Sequence, residues 1–169
     1  AQVGGVAKSV TGGIHLPELY ITEIVSNSPG HLGTADVDGD YFDEDYDFVE
    51  VYNNSKNTVN LKDYKLGDTY VTAYDITVDS FIPAKSAKVI WVKKANSTKT
   101  LADFNAAYGT SLTSSQLLEL KSTDANSGLR FKGTGWIDLV RDSDNTRIQR
   151  AKYNNGVDIR ETYGPAGTY

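Results

Sequence analysis

Residues Lys88–Lys93 read KVIWVK, the most hydrophobic of the strand-forming runs in a chain of 169 residues. A short apolar run of this kind predicts a strand in the middle of a sheet. Phe48–Asn53 (FVEVYN) and Leu19–Ser26 (LYITEIVS) are also rich in β-branched and aromatic residues, and each predicts another strand. The chain is therefore predicted to be built on strands.

Further strands are indicated along the rest of the chain, separated by turn-forming residues: Val59–Asp68, Tyr70–Val78, Gly135–Arg141 and Thr146–Tyr153. The last two flank the sequence DSDN at 142–145 and predict a hairpin. Because Pro83 cannot donate to a ladder, Phe81–Ala84 is expected at a sheet edge or at the end of a strand.

Signals for a helix occur at a single place. Thr100 and Asp103 have a spacing like that of a capping box, and an apolar stripe ends before Gly109, which predicts a helix over Leu101–Tyr108. Strands separated by turns, with one minor helix, predict an antiparallel β-sandwich. Its core is predicted to contain Ile21, Phe48, Val51, Leu66, Ile90, Trp91 or Val92, Ile137 and Leu139.

The composition excludes several kinds of site and partner. Cysteine is absent, which rules out disulfides, thiolate metal sites and cysteine nucleophiles. The net charge of −5 disfavours a nucleic-acid-binding surface, and no run approaches the roughly 20 apolar residues that span a bilayer. His15 and His31 are predicted to be loop residues, since neither has a second histidine at ligand spacing. Because methionine is also absent, we expect a processed or excised piece of a longer product.

Negative charge is concentrated in one segment, where eight acidic residues lie between positions 36 and 50. Carboxylates at this density repel one another unless a cation or solvent screens them, and a Ca²⁺ ion takes about six to eight oxygen ligands. The candidate ligands are Asp36, Asp38, Asp40, Asp43 and Asp47. All but Asp43 have the spacing of EF-hand ligands, although Tyr41 stands where that loop requires glycine. The competing interpretation is a solvated acidic loop; a glycosidase pair is disfavoured, because nothing would raise the pKa of one carboxyl selectively.

The order of the segments resembles the lamin tail domain family. The pieces that carry the likeness are LYITEIV at 19–25, FVEVYNNS at 48–55 with LKDYKLGD at 61–68, FIPAKSAKVIWV at 81–92, and IDLVRDSDNTRIQRAKY at 137–153. The resemblance implies an all-β, immunoglobulin-like antiparallel β-sandwich with one short inserted helix. Residues 1–16 are then expected to be a linker or leader remnant, 17–160 the domain, and 161–169 an exit segment toward a following domain. The acidic loop and an insertion at 94–132 depart from the usual pattern of the family.

The resemblance also implies a function. Family members are scaffold-like, have no catalytic residues and are widespread in exported bacterial proteins. We therefore expect a secreted or cell-surface accessory domain that contacts a protein or a cell-envelope component. Two alternatives remain open: the N-terminal piece of a secreted metallophosphoesterase or nuclease whose hydrolase domain follows in the same chain, and a carbohydrate-binding module. Eleven tyrosines suit sugar or protein recognition, although β-propensity alone is the favoured explanation for them. Some lamins contact nucleic acid, but we do not expect this role here, because phosphates would repel a chain with a net negative charge.

Overall fold

The computed structural model describes residues 16–25, 44–68, 73–123, 128–129, 134–154 and 160–163. Its strands follow one another as β1 (Leu19–Val25), β2 (Phe48–Asn53), β3 (Val59–Asn60), β4 (Tyr64–Asp68), β5 (Ala73–Asp75), β6 (Phe81–Ile82), β7 (Ala87–Lys93), β8 (Leu117–Lys121), β9 (Thr134–Arg141), β10 (Thr146–Asn154) and β11 (Arg160–Tyr163). A helix, α1, covers Leu101–Tyr108, and short 3-10 turns lie at Glu44–Tyr46 and Leu61–Asp63.

The strands form two main sheets that pack face to face. One has four strands in the order β1-β2-β7-β8, and the other has five in the order β11-β10-β9-β4-β5. The short strands β3 and β6 pair separately. The predicted all-β, immunoglobulin-like sandwich with one short helix is confirmed, and β7 lies inside its sheet between β2 and β8, as its hydrophobic sequence indicated.

One pair of strands departs from the antiparallel pattern. β7 and β8 run parallel, with Val89 aligned to Leu117 and Lys93 aligned to Lys121. Adjacent parallel strands need a crossover connection of about a dozen residues or more, and α1 lies in that connection. The helix was predicted from its local signals, whereas β8 was not, because its pairing depends on a strand that is distant in sequence.

The helix itself has the predicted ends. The backbone N–H of Thr100 donates to Asp103 Oδ2 at 2.7 Å, and the N–H of Asp103 donates to Thr100 Oγ1, which completes the capping box. Gly109 ends the helix with a φ of 64°, a left-handed conformation that glycine adopts without strain. Within the described ranges no helix, α1 included, has the length and apolar character needed to cross a membrane.

Every residue predicted for the core is buried, but these residues belong to two separate clusters. Val51 and Val92 face the space between the sheets, where they pack with Leu66 and Leu139. Side chains alternate along a strand, so Phe48 and Trp91 point the other way and pack beneath α1. Trp91 and Val92, which the sequence left as alternatives, are therefore both buried, on opposite faces of β7.

A buried amide joins the two sheets at one side of the sandwich. Gln149 of β10 is fully buried; its Nε2 donates to the carbonyl of Ile21 at 3.4 Å, and its Oε1 accepts from the backbone N–H of Ile21. The strand register shifts at both places, between Ile21 and Glu23 on β1 and between Arg147 and Gln149 on β10. Because a bulge disrupts the ladder locally, the amide of Gln149 satisfies backbone groups that need a partner.

Two further details differ from the expectation. The predicted strand Val59–Asp68 is divided by the 3-10 turn at Leu61–Asp63. Asn60 caps this turn, because its Oδ1 accepts from Lys62 N at 3.2 Å. Arg160–Tyr163 pairs with β10 as β11, although no strand was predicted there. The strand lacks a strong alternating pattern, and its place is set by the neighbouring β10.

Candidate functional site

The two outer faces of the sandwich differ in what covers them. α1 lies over the four-stranded sheet, where the ring of Phe104 is centred 5.8 Å from that of Phe48 and 5.0 Å from that of Trp91. Tyr108 of the same helix donates to the carbonyl of Tyr46 at 2.8 Å, and burial raises the pKa of its phenol. The outer face of the five-stranded sheet instead carries an indole ring beside a charged pair, and this chemistry makes that face the candidate binding surface.

Three side chains on that outer face form what we call the Trp136 platform: Trp136 and Asp138 of β9, and Arg150 of β10. Ile137 and Ala151, their neighbours in sequence, are buried in the core, so alternation along each strand turns the platform outward. The β9–β10 ladder aligns Arg150 with Asp138, which brings the two charged groups together across the strands.

The platform is held rigid by a two-point ion pair. Arg150 donates from Nε to Asp138 Oδ1 at 2.7 Å and from Nη2 to Asp138 Oδ2 at 2.6 Å. The guanidinium carbon lies 4.4 Å from the centre of the Trp136 ring, in the range of a cation–π contact. The hydrogen bonds that Arg150 donates to Asp138 raise the pKa of Arg150, so the guanidinium keeps its charge at any physiological pH. Both side chains are therefore ordered before any partner arrives.

The strand beside the platform leaves space next to it. Gly67 of β4 aligns with Asp138, and a Cβ added there would lie 3.6 Å from the Asp138 Cβ, which is an ordinary contact. Crowding therefore does not require glycine at this position, and the missing side chain leaves a shallow gap beside the carboxylate. Farther along β4, Lys65 donates to Asn145 Oδ1 at 2.6 Å and pairs with Asp142 at 3.2 Å, which fixes the β9–β10 turn.

The chemistry of the platform suits recognition. An indole ring, a fixed guanidinium and a carboxylate provide stacking area and directed hydrogen bonds, which are the features of binding surfaces. Among the described residues there is also no group of three or more His, Asp or Glu side chains arranged to hold a metal ion.

The predicted calcium ligands lie mostly outside the described residues: Asp36, Asp38, Asp40 and Asp43. Asp47 is described and is fully buried, with Oδ2 accepting from the backbone N–H of Leu129 at 3.1 Å. Its neighbour Asp45 is also buried and pairs with Lys94 at 3.4 Å. The C-terminal end of the acidic segment thus enters the folded domain, while calcium binding stays a prediction.

The tyrosines that the structure describes mainly pack against other side chains of the fold. Tyr74 is buried in the core, and Tyr46 stacks on Trp91 with ring centres 6.1 Å apart. Tyr52 pairs with Tyr20 on the outer side of β1 and β2, Tyr64 is half-buried, and Tyr41 and Tyr70 lie outside the described residues. Sequence reasoning missed the Trp136 platform, although its signal was available: Trp136 and Asp138 occupy alternate positions of a strand whose other positions are apolar.

Comparison with known proteins supplies a family and a relative. Residues 15–162 match the model of the Lamin Tail Domain family. The chain is also similar to the uncharacterized protein YvnB of Bacillus subtilis (strain 168), with 32% identity over 108 residues. That alignment covers 58% of this chain and 8% of YvnB, so the chain spans a small part of that relative.

Proposed function

Since the chain belongs to the lamin tail domain family, whose members are non-catalytic immunoglobulin-like domains, we propose that it is an accessory domain of an exported bacterial protein. The domain is secreted or held at the cell surface, where it contacts a protein or cell-envelope partner. The activity of the whole protein, including that of any metallophosphoesterase domain in the same chain, would then reside outside this domain. The match to a long relative of which the chain spans 8% supports this division of roles.

The observation that carries the proposal is the geometry of the Trp136 platform on the outer face of the five-stranded sheet. Tryptophan and arginine are enriched at binding hot spots because they combine large contact area with directed hydrogen bonds. A guanidinium already fixed by Asp138 loses little rotamer freedom when a partner docks, which lowers the entropic cost of binding.

The platform can be tested with purified bacterial cell walls as the probe. We expect the chain to be retained by the walls in a sedimentation assay, and we expect Trp136→Ala to reduce retention about tenfold, the loss typical of removing one aromatic anchor. Lys62→Ala changes an exposed residue that pairs with Asp79, away from the platform, and serves as the control. Equal retention of wild type and Trp136→Ala would contradict the role of the platform, and no retention of wild type would contradict the cell-envelope partner.

The isolated chain is expected to show no hydrolysis of bis(p-nitrophenyl) phosphate in the presence of Mn²⁺ or Zn²⁺. Two-metal phosphodiester chemistry needs a cluster of metal ligands around the substrate, and this sequence contains two histidines and no cysteine. Release of p-nitrophenol above the buffer rate, by the chain without any following domain, would instead favour the hydrolase alternative.

The proposal includes Ca²⁺ binding by the acidic segment. If the aspartates close around one ion, binding relieves their mutual repulsion and stabilises the fold by about 2.7 kcal/mol at a hundredfold excess over Kd. Millimolar Ca²⁺ added to chelator-treated protein should raise the Tm, and Mg²⁺ should raise it less, because Mg²⁺ demands a tighter octahedral shell. Asp38→Asn with Asp40→Asn should remove the response, while Asp63→Asn, outside the segment, should keep it. A melting curve that Ca²⁺ leaves unchanged would favour the solvated loop.

A further inference from the structure

The two long sides of the sandwich differ in how they are closed. Gln149 joins the sheets at the β1–β10 side, whereas the other side ends in two edge strands, β8 and β5. A groove of about 350 Å³ lies between these edges, and we call it the open-side groove. The residues that line it include Val78, Glu119, Leu120 and Lys121.

The backbone of β8 has one side bonded and one side available. Gln116 accepts from Val89 N at 3.0 Å and Ser122 donates to the carbonyl of Lys93 at 2.8 Å. In a parallel ladder the residues that bond to the neighbour alternate with residues that point away. The outer edge of β8 therefore presents the N–H and C=O groups of Leu117, Glu119 and Lys121. No described strand pairs with these groups. Such a row of groups is complementary to an extended backbone.

Along this edge an acidic, an apolar and a basic side chain follow one another, at Glu119, Leu120 and Lys121. We propose that the edge of β8 pairs antiparallel with β8 of a second copy of this chain, about a two-fold axis centred on Leu120. The two four-stranded sheets then become one continuous sheet. This inference concerns a surface other than the Trp136 platform, and it does not depend on the proposed function.

Charge complementarity identifies the second copy as the occupant. With the axis at Leu120, Glu119 lies directly opposite Lys121 of the second copy, and Lys121 lies opposite its Glu119. Opposite charges at directly facing positions stabilise an antiparallel pair. An axis centred on Glu119 would place two like carboxylates face to face, so the charges select one register.

The apolar residues of the open side agree with this register. Leu120 meets its own copy across the axis, on the face of the sheet that carries the groove. Val78, which is 54% exposed at the groove, lies on the side that the second copy would cover. A strand of five residues gives a short contact, so the association belongs to the weak and reversible class of interfaces.

The test is sedimentation equilibrium of the whole chain at rising concentration. The wild type should change reversibly from the monomer mass toward twice that mass. Lys121→Glu places two acidic pairs across the axis and should weaken self-association about tenfold or more. Lys56→Glu makes the same change of charge at an exposed turn away from β8 and should leave association unchanged.

A mixing experiment separates register from general charge. Glu119→Lys should weaken self-association as well, yet an equimolar mixture of Glu119→Lys and Lys121→Glu should form the mixed dimer, because each lysine then faces a glutamate. The double variant should recover wild-type association. Lys93 Nζ lies 3.1 Å from Glu119 Oε2, so the Tm of Glu119→Lys is measured first. If that variant does not fold, the test of the proposal rests on Lys121→Glu alone, because this substitution leaves the Lys93–Glu119 ion pair intact. A monomeric wild type up to millimolar concentration, or unchanged association of Lys121→Glu, would overturn the proposal.

Discussion

Phe48→Ala is expected to lower the free energy of unfolding by about 3–5 kcal/mol, the range for removing a buried phenylalanine ring. The side chain is 7% exposed and makes edge contacts with Phe104 and Tyr108, at ring-centre distances of 5.8 and 5.2 Å. The loss combines the lost transfer free energy of the ring with the cavity that forms beneath α1. Urea unfolding followed by tryptophan fluorescence measures the change.

A matched control is available in the same chain. Phe81 is 55% exposed, so Phe81→Ala removes the same ring from a position where water already reaches it, and the loss should stay below about 1 kcal/mol. Phe48→Ala should also increase amide exchange within α1 before the rest of the domain opens, because the helix packs on that ring. A loss as small as that of Phe81→Ala would mean that the outward face of β2 is not packed against α1.

Gln149→Leu is expected to cost about 2–4 kcal/mol, although leucine is apolar and similar in volume. The N–H and C=O of Ile21 would remain buried without their side-chain partner, and each such group costs about 1–3 kcal/mol. The measurement is again urea unfolding at neutral pH.

The control for this change is Gln116→Leu. The Gln116 side chain also accepts a hydrogen bond, from Thr113 N at 3.0 Å, but the residue is exposed and water can replace the amide. Its loss should stay below about 1 kcal/mol. If the two variants were equally stable, the buried amide would not be a significant link between the sheets.

Local sequence signals predicted the elements that depend on neighbouring residues. β2 has the predicted bounds, Phe48–Asn53, because alternation and β-propensity act within the strand. α1 has the predicted bounds because its capping box and its terminal Gly109 are encoded within ten residues. The predicted hairpin of β9 and β10 forms around the polar turn at 142–145.

Features that depend on distant contacts were not predictable in the same way. Phe48 and Val51 were both predicted for the core, but the sequence did not indicate that α1 would cover the Phe48 side of β2 and form a second cluster there. β8 needs β7 as its parallel partner, and Gln149 has a place in the core only because Ile21 bulges beside it. The sequence of β9 contains the alternation of Trp136 and Asp138, but the pairing of Asp138 with Arg150 arises from cross-strand register, which neither strand contains alone.

The bond between Gln149 and Ile21 also has a kinetic consequence, because it joins residues separated by 128 positions along the chain. Contacts of such long range form only after most of the intervening chain is ordered, since closing a large loop is entropically unfavourable. An interaction absent from the folding transition state leaves the folding rate unchanged and slows unfolding. The amide between the sheets therefore prolongs the lifetime of the folded domain without speeding its formation.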